Sequence, residues 1–418
     1  MALKLLQFGT GIAPKKLFVI TILNSSLLAW YFFLAQVNFE IIFRNFSDST
    51  SIIYTGQALF YFFGAISAII GAGIGSRFKR KKILFILTTL GVISSFSLLF
   101  FQSEISIFFL CPILGITLGL VYPVSMSMMA DSSKIEDRGK VAGIYILQTF
   151  VMLAIFIILQ EMLELGFFGI IVLLVIIRSI SFLPLVIEDS KSTKMVSEKL
   201  KKNLSWSFIV SHRQFVLYFI PWLIFLIVTV IADHILWPSF PDTQEIVEAM
   251  AAAEPMQYVG TAIFSIVSGI LADRIGRKYP IIIGLIWLGV SFALLTLTIS
   301  NLTVFLHVMA IGIAFGFLMV IYTAIPADLS DRWPKSRERF YALIVVLPLS
   351  AYGAVGAIPA IFGINAAPNI IAPFLGVILF LSIIPIMAVK ETLPRSKMER
   401  RKYKTHIEKL GELREEME

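Results

Sequence analysis

The chain has 418 residues, of which 58% are hydrophobic and 15% charged, with a mean hydropathy of +0.88 and a formal net charge of +8. A water-soluble domain of this length carries more surface charge, so the composition excludes a soluble globular protein. No polar block is large enough for a separate soluble domain, and the placement of the bases, set out below, follows membrane topology rather than a nucleic-acid-binding face.

Lys4, Lys15 and Lys16 precede an apolar run from Leu17 to about Ala35. The run is too long for the core of a signal peptide and lacks a small-residue cleavage site, so it reads as a retained first span. Apolar runs of about 18 residues or more, the length that crosses a hydrocarbon core of roughly 30 Å, recur along the chain. The first six fall at 17–35, 53–75, 83–101, 106–129, 141–160 and 167–187; the second six fall at 215–236, 256–272, 280–299, 303–326, 340–361 and 370–389. All are expected to be helices, because unpaired backbone groups are too costly in lipid and the short alternating pattern of barrel strands is missing. The one cysteine, Cys111, lies in an apolar run, so no intrachain disulfide is possible.

With the N-terminus inside, the inner segments hold 33 of the 35 Lys and Arg residues; only Arg44 lies in an outer loop and only Arg178 in a span. This asymmetry and the even span count place both termini in the cytoplasm of a cell-membrane protein. The expected units are a cytoplasmic tail over 1–16, a six-helix half over 17–187, a cytoplasmic linker over 188–214, a second half over 215–390 and a cytoplasmic tail over 391–418. The lysine-rich linker suits an amphipathic helix on the inner surface. The last tail passes from basic to acidic and suits either a helix near anionic lipid or a solvated segment.

The halves repeat. Gly115–Asp131, GITLGLVYPVSMSMMAD, aligns without a gap on Gly312–Asp328, GIAFGFLMVIYTAIPAD, at an offset of 197 residues. At the same offset Arg77 and Arg80 of SRFKRKK fall on Arg274 and Arg277 of DRIGRKY. Two matches at one offset indicate a duplicated six-span unit.

Two six-span halves, a central basic loop and the run Gly269-x-x-x-Asp273-Arg274-x-Gly276-Arg277-Lys278 resemble the major facilitator superfamily over about residues 10–395. Glu391-Thr392-Leu393-Pro394 is similar to a common ending in that family. The first copy of the motif departs from the pattern, with Ser76 for the acid and Lys79 for the glycine. The resemblance implies an all-α polytopic membrane protein of twelve transmembrane helices in two pseudo-symmetric halves. It also implies alternating access to a midplane site.

It further implies that the basic turns help hold the inner side closed in one state. The gating set is then Asp273, Arg274, Gly276 and Arg277 with Arg337 as partner, and in the first copy Arg77, Arg80, Asp131 and Arg138. The plainer reading is that these bases only enforce topology.

Within the spans, polar residues near the midplane are Asn24, Tyr61, Gln148 and Tyr352, each able to hydrogen-bond a solute or a neighbouring helix. Asn24 stands first, because span one lines the cavity in the resembled fold. Arg178 serves either an anionic solute or a structural contact. Asp233, with His234 beside it, and His307 lie near the outer ends of spans seven and ten, which line the cavity in the resembled fold. They either carry a coupling proton or sit at the wet membrane boundary marked by Trp237 and Pro238.

No nucleotide-binding loop is present, and His212, His234, His307 and His406 lack metal-ligand spacing. Neither a metal, a cofactor nor a catalytic residue is expected. The resulting expectation is a secondary transporter of a small solute, drug-like or amphipathic, using protons as coupling ion and acting as a monomer in the lipid bilayer. The alternatives are a facilitator of the same fold and a membrane sensor that binds without translocating.

Overall fold

The computed structural model describes residues 14–76, 78–186, 204–237, 240, 244–297, 300–362 and 368–394. Arg77, most of the N-tail, linker residues 187–203 and the C-tail beyond 394 lie outside them. Twelve long helices are present among the described residues. The first six are α1 (Pro14–Phe32), α2 (Thr50–Gly75), α3 (Arg80–Ser97), α4 (Glu104–Asp131), α5 (Arg138–Met162) and α6 (Phe167–Ile180). The second six are α7 (Arg213–Ile231), α8 (Gln244–Ile275), α9 (Lys278–Leu297), α10 (Asn301–Leu329), α11 (Arg337–Phe362) and α12 (Pro368–Leu381). Both α1 and α7 continue as a single π-helical segment, Phe33–Val37 and Ala232–Leu236. The fold is all-α and polytopic, and ten of these helices are long and apolar enough to cross a membrane. The other two, α3 and α11, open on three charged residues each, Arg80-Lys81-Lys82 and Arg337-Glu338-Arg339.

Span eight departs from its expected bounds. The sequence places its start at 256, after Pro255; the helix begins at Gln244 and runs through that proline. The extra turns bring Glu254 into the bundle.

The two sets of six pack alike. The main neighbour of α2 within its set is α4, and that of α8 is α10; across the sets α2 crosses α11 and α5 crosses α8. The 197-residue offset recurs in these crossings. A Cβ on Gly115 would collide with the Phe60 carbonyl and one on Gly119 with that of Gly64; a Cβ on Gly312 would collide with the Gln257 carbonyl and one on Gly316 with that of Thr261. Small residues let membrane helices approach to backbone contact, where dispersion replaces the missing hydrophobic drive. The crossing between sets is equally close, with Gly139 and Gly143 on α5 against the Gly269 and Ser265 carbonyls of α8. Ser265 also donates to the Gly143 carbonyl at 3.1 Å.

Candidate functional site

At one end of the bundle the starts of α3, α5, α9 and α11 meet the ends of α4, α8 and α10, and this end carries the charge. Asp328, at the end of α10, accepts from Arg277 Nε at 2.9 Å and from Arg138 at 3.1 Å. Arg138 belongs to the first six helices and also reaches Asp331 at 2.7 Å. Asp131 is placed in the same way at the end of α4. It pairs with Arg80 of its own set and with Arg337 of the opposite set. Arg80 and Arg277, like Asp131 and Asp328, are 197 positions apart. Each acid is therefore held by one base from each half.

Asp273 has different partners from the one its motif suggests. Its partner is not Arg337. Its carboxylate takes Arg277 at 2.6 Å and accepts the Gly139 and Lys140 backbone N–H groups at 2.8 and 2.9 Å. Those two groups open α5, so an acid on one half caps a helix of the other, where the helix dipole favours negative charge. Burial pulls the Arg277 guanidinium down, and the charges of Asp328 and Asp273 more than offset that, holding it above its ordinary value. Arg277 completes its hydrogen bonds on the Ile135 carbonyl at 2.9 Å. Arg274 lies exposed in the last turn of α8.

In the first copy of the motif Ser76 stands where Asp273 stands in the second. The missing carboxylate is supplied from elsewhere, because Arg80 donates to Glu338 of α11 at 2.8 and 2.5 Å. Glu338 is 1% exposed. Sequence reading missed it, since nothing in the run of α11 marks it as a substitute for a residue on α2.

Gly276 turns the chain between α8 and α9 with φ +102°, a left-handed conformation that disfavours side chains. Glu391 fills the space beside it and accepts the backbone N–H groups of Arg277 and Lys278 at 2.9 and 3.2 Å. Thr392 donates to Asp328 at 3.1 Å. The motif turn and the family-like ending thus form one clasp.

Above the charged end lies a layer of buried rings. Trp222 stacks on Tyr322 at 4.5 Å and donates to the Ile344 carbonyl at 3.0 Å. Tyr322 and Tyr341 donate to the carbonyls of Tyr218 and Thr323 at 2.9 and 3.0 Å. Each ring satisfies its polar tip while its body packs among α7, α10 and α11.

Beyond this layer is a cavity of about 520 Å³ walled by both halves. Phe32, Gln36 and Phe150 come from the first half; Asp233, Trp237, Glu254, Gln257, Tyr258, Phe292, Phe315 and Tyr352 come from the second. Thr261, the lining residue of α8 nearest the charged end, is twelve residues from Asp273. At 1.5 Å per residue that leaves roughly 18 Å of packed helix between cavity and charges. Asp233 accepts from Tyr352 at 3.4 Å, and Glu254 accepts from Tyr258 at 3.0 Å. Beside the cavity Gln36 donates to Tyr61 at 2.9 Å, and the Tyr61 ring packs on Tyr352 at 5.2 Å.

The sequence candidates divide around this cavity. Tyr352 and Asp233 line it, and Tyr61 stands behind Tyr352. Gln148 accepts from Ser25 at 3.2 Å, and Asn24 donates to the carbonyls of Ile20 and Ser125 at 3.4 and 3.5 Å; both serve helix contacts. His307 is buried between Trp237 and Phe292 with ring centroids 5.1 and 4.8 Å away, and His234 sits 3.0 Å from the Val230 carbonyl. No Asp–His pair forms among the described residues. Arg178 is remote from the cavity, fully buried with its guanidinium 5.2 Å from the Trp30 ring. Glu254 was missed because span eight was expected to begin at 256, two residues after it.

The family model of the Major Facilitator Superfamily matches residues 18–240, more than half the chain. No curated protein sequence matches. Among solved structures, the proton:xylose symporter XylE bound to 6-bromo-6-deoxy-D-glucose is similar with a TM-score of 0.64 at 15% identity, over 90% of this chain and 97% of that one. The human organic anion transporter MFSD10 (TETRAN) is similar with a TM-score of 0.65 at 11% identity, over 90% of this chain and 100% of that one. At these identities the likeness is one of fold.

Proposed function

The chain belongs to the major facilitator superfamily, and from that premise we propose that it is a secondary transporter, a carrier rather than an enzyme, moving a small solute by alternating access of its two halves. The observation that carries this reading is a cavity between the halves whose one side is sealed by ion pairs exchanged between those halves. The two similar structures described above are both named as transporters, which supports the same class.

The base-rich end is assigned to the cytoplasm of a cell membrane by the positive-inside rule, with both termini there and all twelve helices spanning. The cavity then faces outward, with the inner side closed. The solute enters among the carboxylates and rings of the wall. Exchange of the halves breaks the pairs of Asp131, Asp273 and Asp328 and opens the cytoplasmic side. The gating residues are Asp273, Gly276, Arg277, Arg138 and Asp328 at one seam, and Arg80, Asp131, Arg337 and Glu338 at the other. The working unit in this reading is a monomer. Asp233 is the residue assigned to proton coupling, since it stands in the cavity; His307, enclosed by rings, is one layer behind it.

The test is solute flux in proteoliposomes with and without an imposed pH gradient. The expected result is uptake that follows the gradient and loses that dependence in Asp233→Asn. Flux indifferent to the gradient would leave a facilitator, and solute binding without any flux would overturn the carrier reading in favour of a sensor.

A further inference from the structure

The acids of the cavity have no bases to answer them. Asp233 on the extension of α7 and Glu254 on α8 both line it, and both are exposed to it. Lys, Arg and His are missing from its described lining residues. Each acid holds a tyrosine hydroxyl, at 3.4 Å for Asp233 and 3.0 Å for Glu254, and neither has a basic partner among the described residues. Of the two bases that the sequence places outside the inner segments, Arg44 is paired with Glu40 at 2.5 Å and Arg178 is buried against Trp30, remote from the cavity. Seven of the other sixteen lining residues are aromatic, Phe32, Phe150, Trp237 and Phe292 among them.

We propose that this cavity selects organic cations, bound between the carboxylates of Asp233 and Glu254 and against the surrounding rings. The inference rests on reading the cavity as the solute site. An ammonium or other onium group there gains the carboxylate of Glu254, that of Asp233 once it has released its proton, and the negative faces of the rings. An anion of the same shape meets those carboxylates with nothing to neutralise them, so rejection is built into the wall. A bare inorganic cation fits poorly. Divalent ions take six or more oxygen ligands at short range, whereas no group of three His, Cys, Asp or Glu able to hold a metal occurs among the described residues. The volume of about 520 Å³ also falls within the range of sites for drug-sized ligands, ~300–1,000 Å³.

The experiment is equilibrium binding to the full chain in lipid nanodiscs, with three probes of one shape class. These are benzyltrimethylammonium, its neutral carbon isostere neopentylbenzene, and benzenesulfonate. The cation is expected to bind about tenfold or more tighter than either of the others, a margin set by charge alone. Glu254→Gln and Asp233→Asn are each expected to weaken the cation about tenfold while leaving the neutral isostere unchanged. Neutral binding as tight as that of the cation, or tighter binding of the sulfonate, would overturn the proposal. The ranking is made on the unmodified protein, so it stands whether or not a variant folds. Flux confined to neutral or anionic solutes would sink the cation proposal and keep the carrier; cation binding without flux would do the reverse.

Discussion

Arg178 is paired with no acid among the described residues. Its guanidinium lies over Trp30 at 5.2 Å, the Trp30 indole N–H donates to Ser95 at 3.0 Å, and a Cβ on Gly91 would press against the guanidinium itself. None of its three nitrogens has a hydrogen-bond partner among the described residues. A desolvated cation–π contact returns about 2 kcal/mol, whereas burying an ion costs several kcal/mol even after relaxation. The apolar body of α6 outweighs that deficit for insertion, but the local balance stays unfavourable. Arg178→Met keeps the unbranched stem as far as Nε and removes the charge, and should raise stability by about 1–4 kcal/mol. Thermal unfolding in detergent would read this as a higher midpoint. A lower midpoint would show that the guanidinium has a partner in the folded state. Position 178 was legible in the sequence as a charge within a span. Which way it pointed was not, because a cavity wall and a helix seam both accept an arginine at that depth.

At the scale of the element, α8 and α5 form the instructive pair. The N-terminus of α5 is capped by Asp273 from α8, so the helix dipole, two backbone N–H groups and Arg277 all converge on one carboxylate. Asp273→Asn keeps the shape and loses the charge. It should weaken the closed end by about 3 kcal/mol, as for breaking a buried ion pair. That shifts the ratio of closed to open roughly 150-fold. Spin labels on Lys134 and Lys335, exposed on either side of the seam, should report a new population at long distance; an unchanged distance distribution would count against the cap as a holding contact. The start of α8 was the element least readable in advance. It is the least apolar of the ten spanning helices, because its outer turns carry Glu248 and Glu254 and part of them faces the cavity rather than lipid. A hydropathy criterion finds lipid-facing helix, so it begins α8 twelve residues late. By contrast Asp131, Asp328, Arg80 and Arg277 were legible as equivalents through the repeat. Their partners were not, since a duplication identifies matching residues without saying that the matches exchange partners across the seam.

For the molecule as a whole, the two seams close with the same number of acids arranged differently. One takes its second carboxylate from α8 as Asp273, and the other takes it from α11 as Glu338. If both serve the same purpose, the acid can be moved. Glu338→Gln alone should shift the charged end toward opening about tenfold or more, as loss of a buried partner of Arg80 implies. Adding Ser76→Asp, which places a carboxylate four residues before Arg80 as Asp273 stands before Arg277, should restore closure. The same label pair would measure both steps, and a double variant no more closed than the single one would show that Glu338 acts locally on α11 instead. The exchanged pairing also bears on descent. A single six-helix copy contains an Asp131 or an Asp328 but neither the opposite base that completes it nor the helix terminus that Asp273 caps. Two such copies facing each other across a two-fold axis would supply both. If the chain is a duplicated six-helix unit, its pairing is that of a symmetric dimer, in which a loss in one copy can be made good by a change in the other, as Ser76 and Glu338 would illustrate.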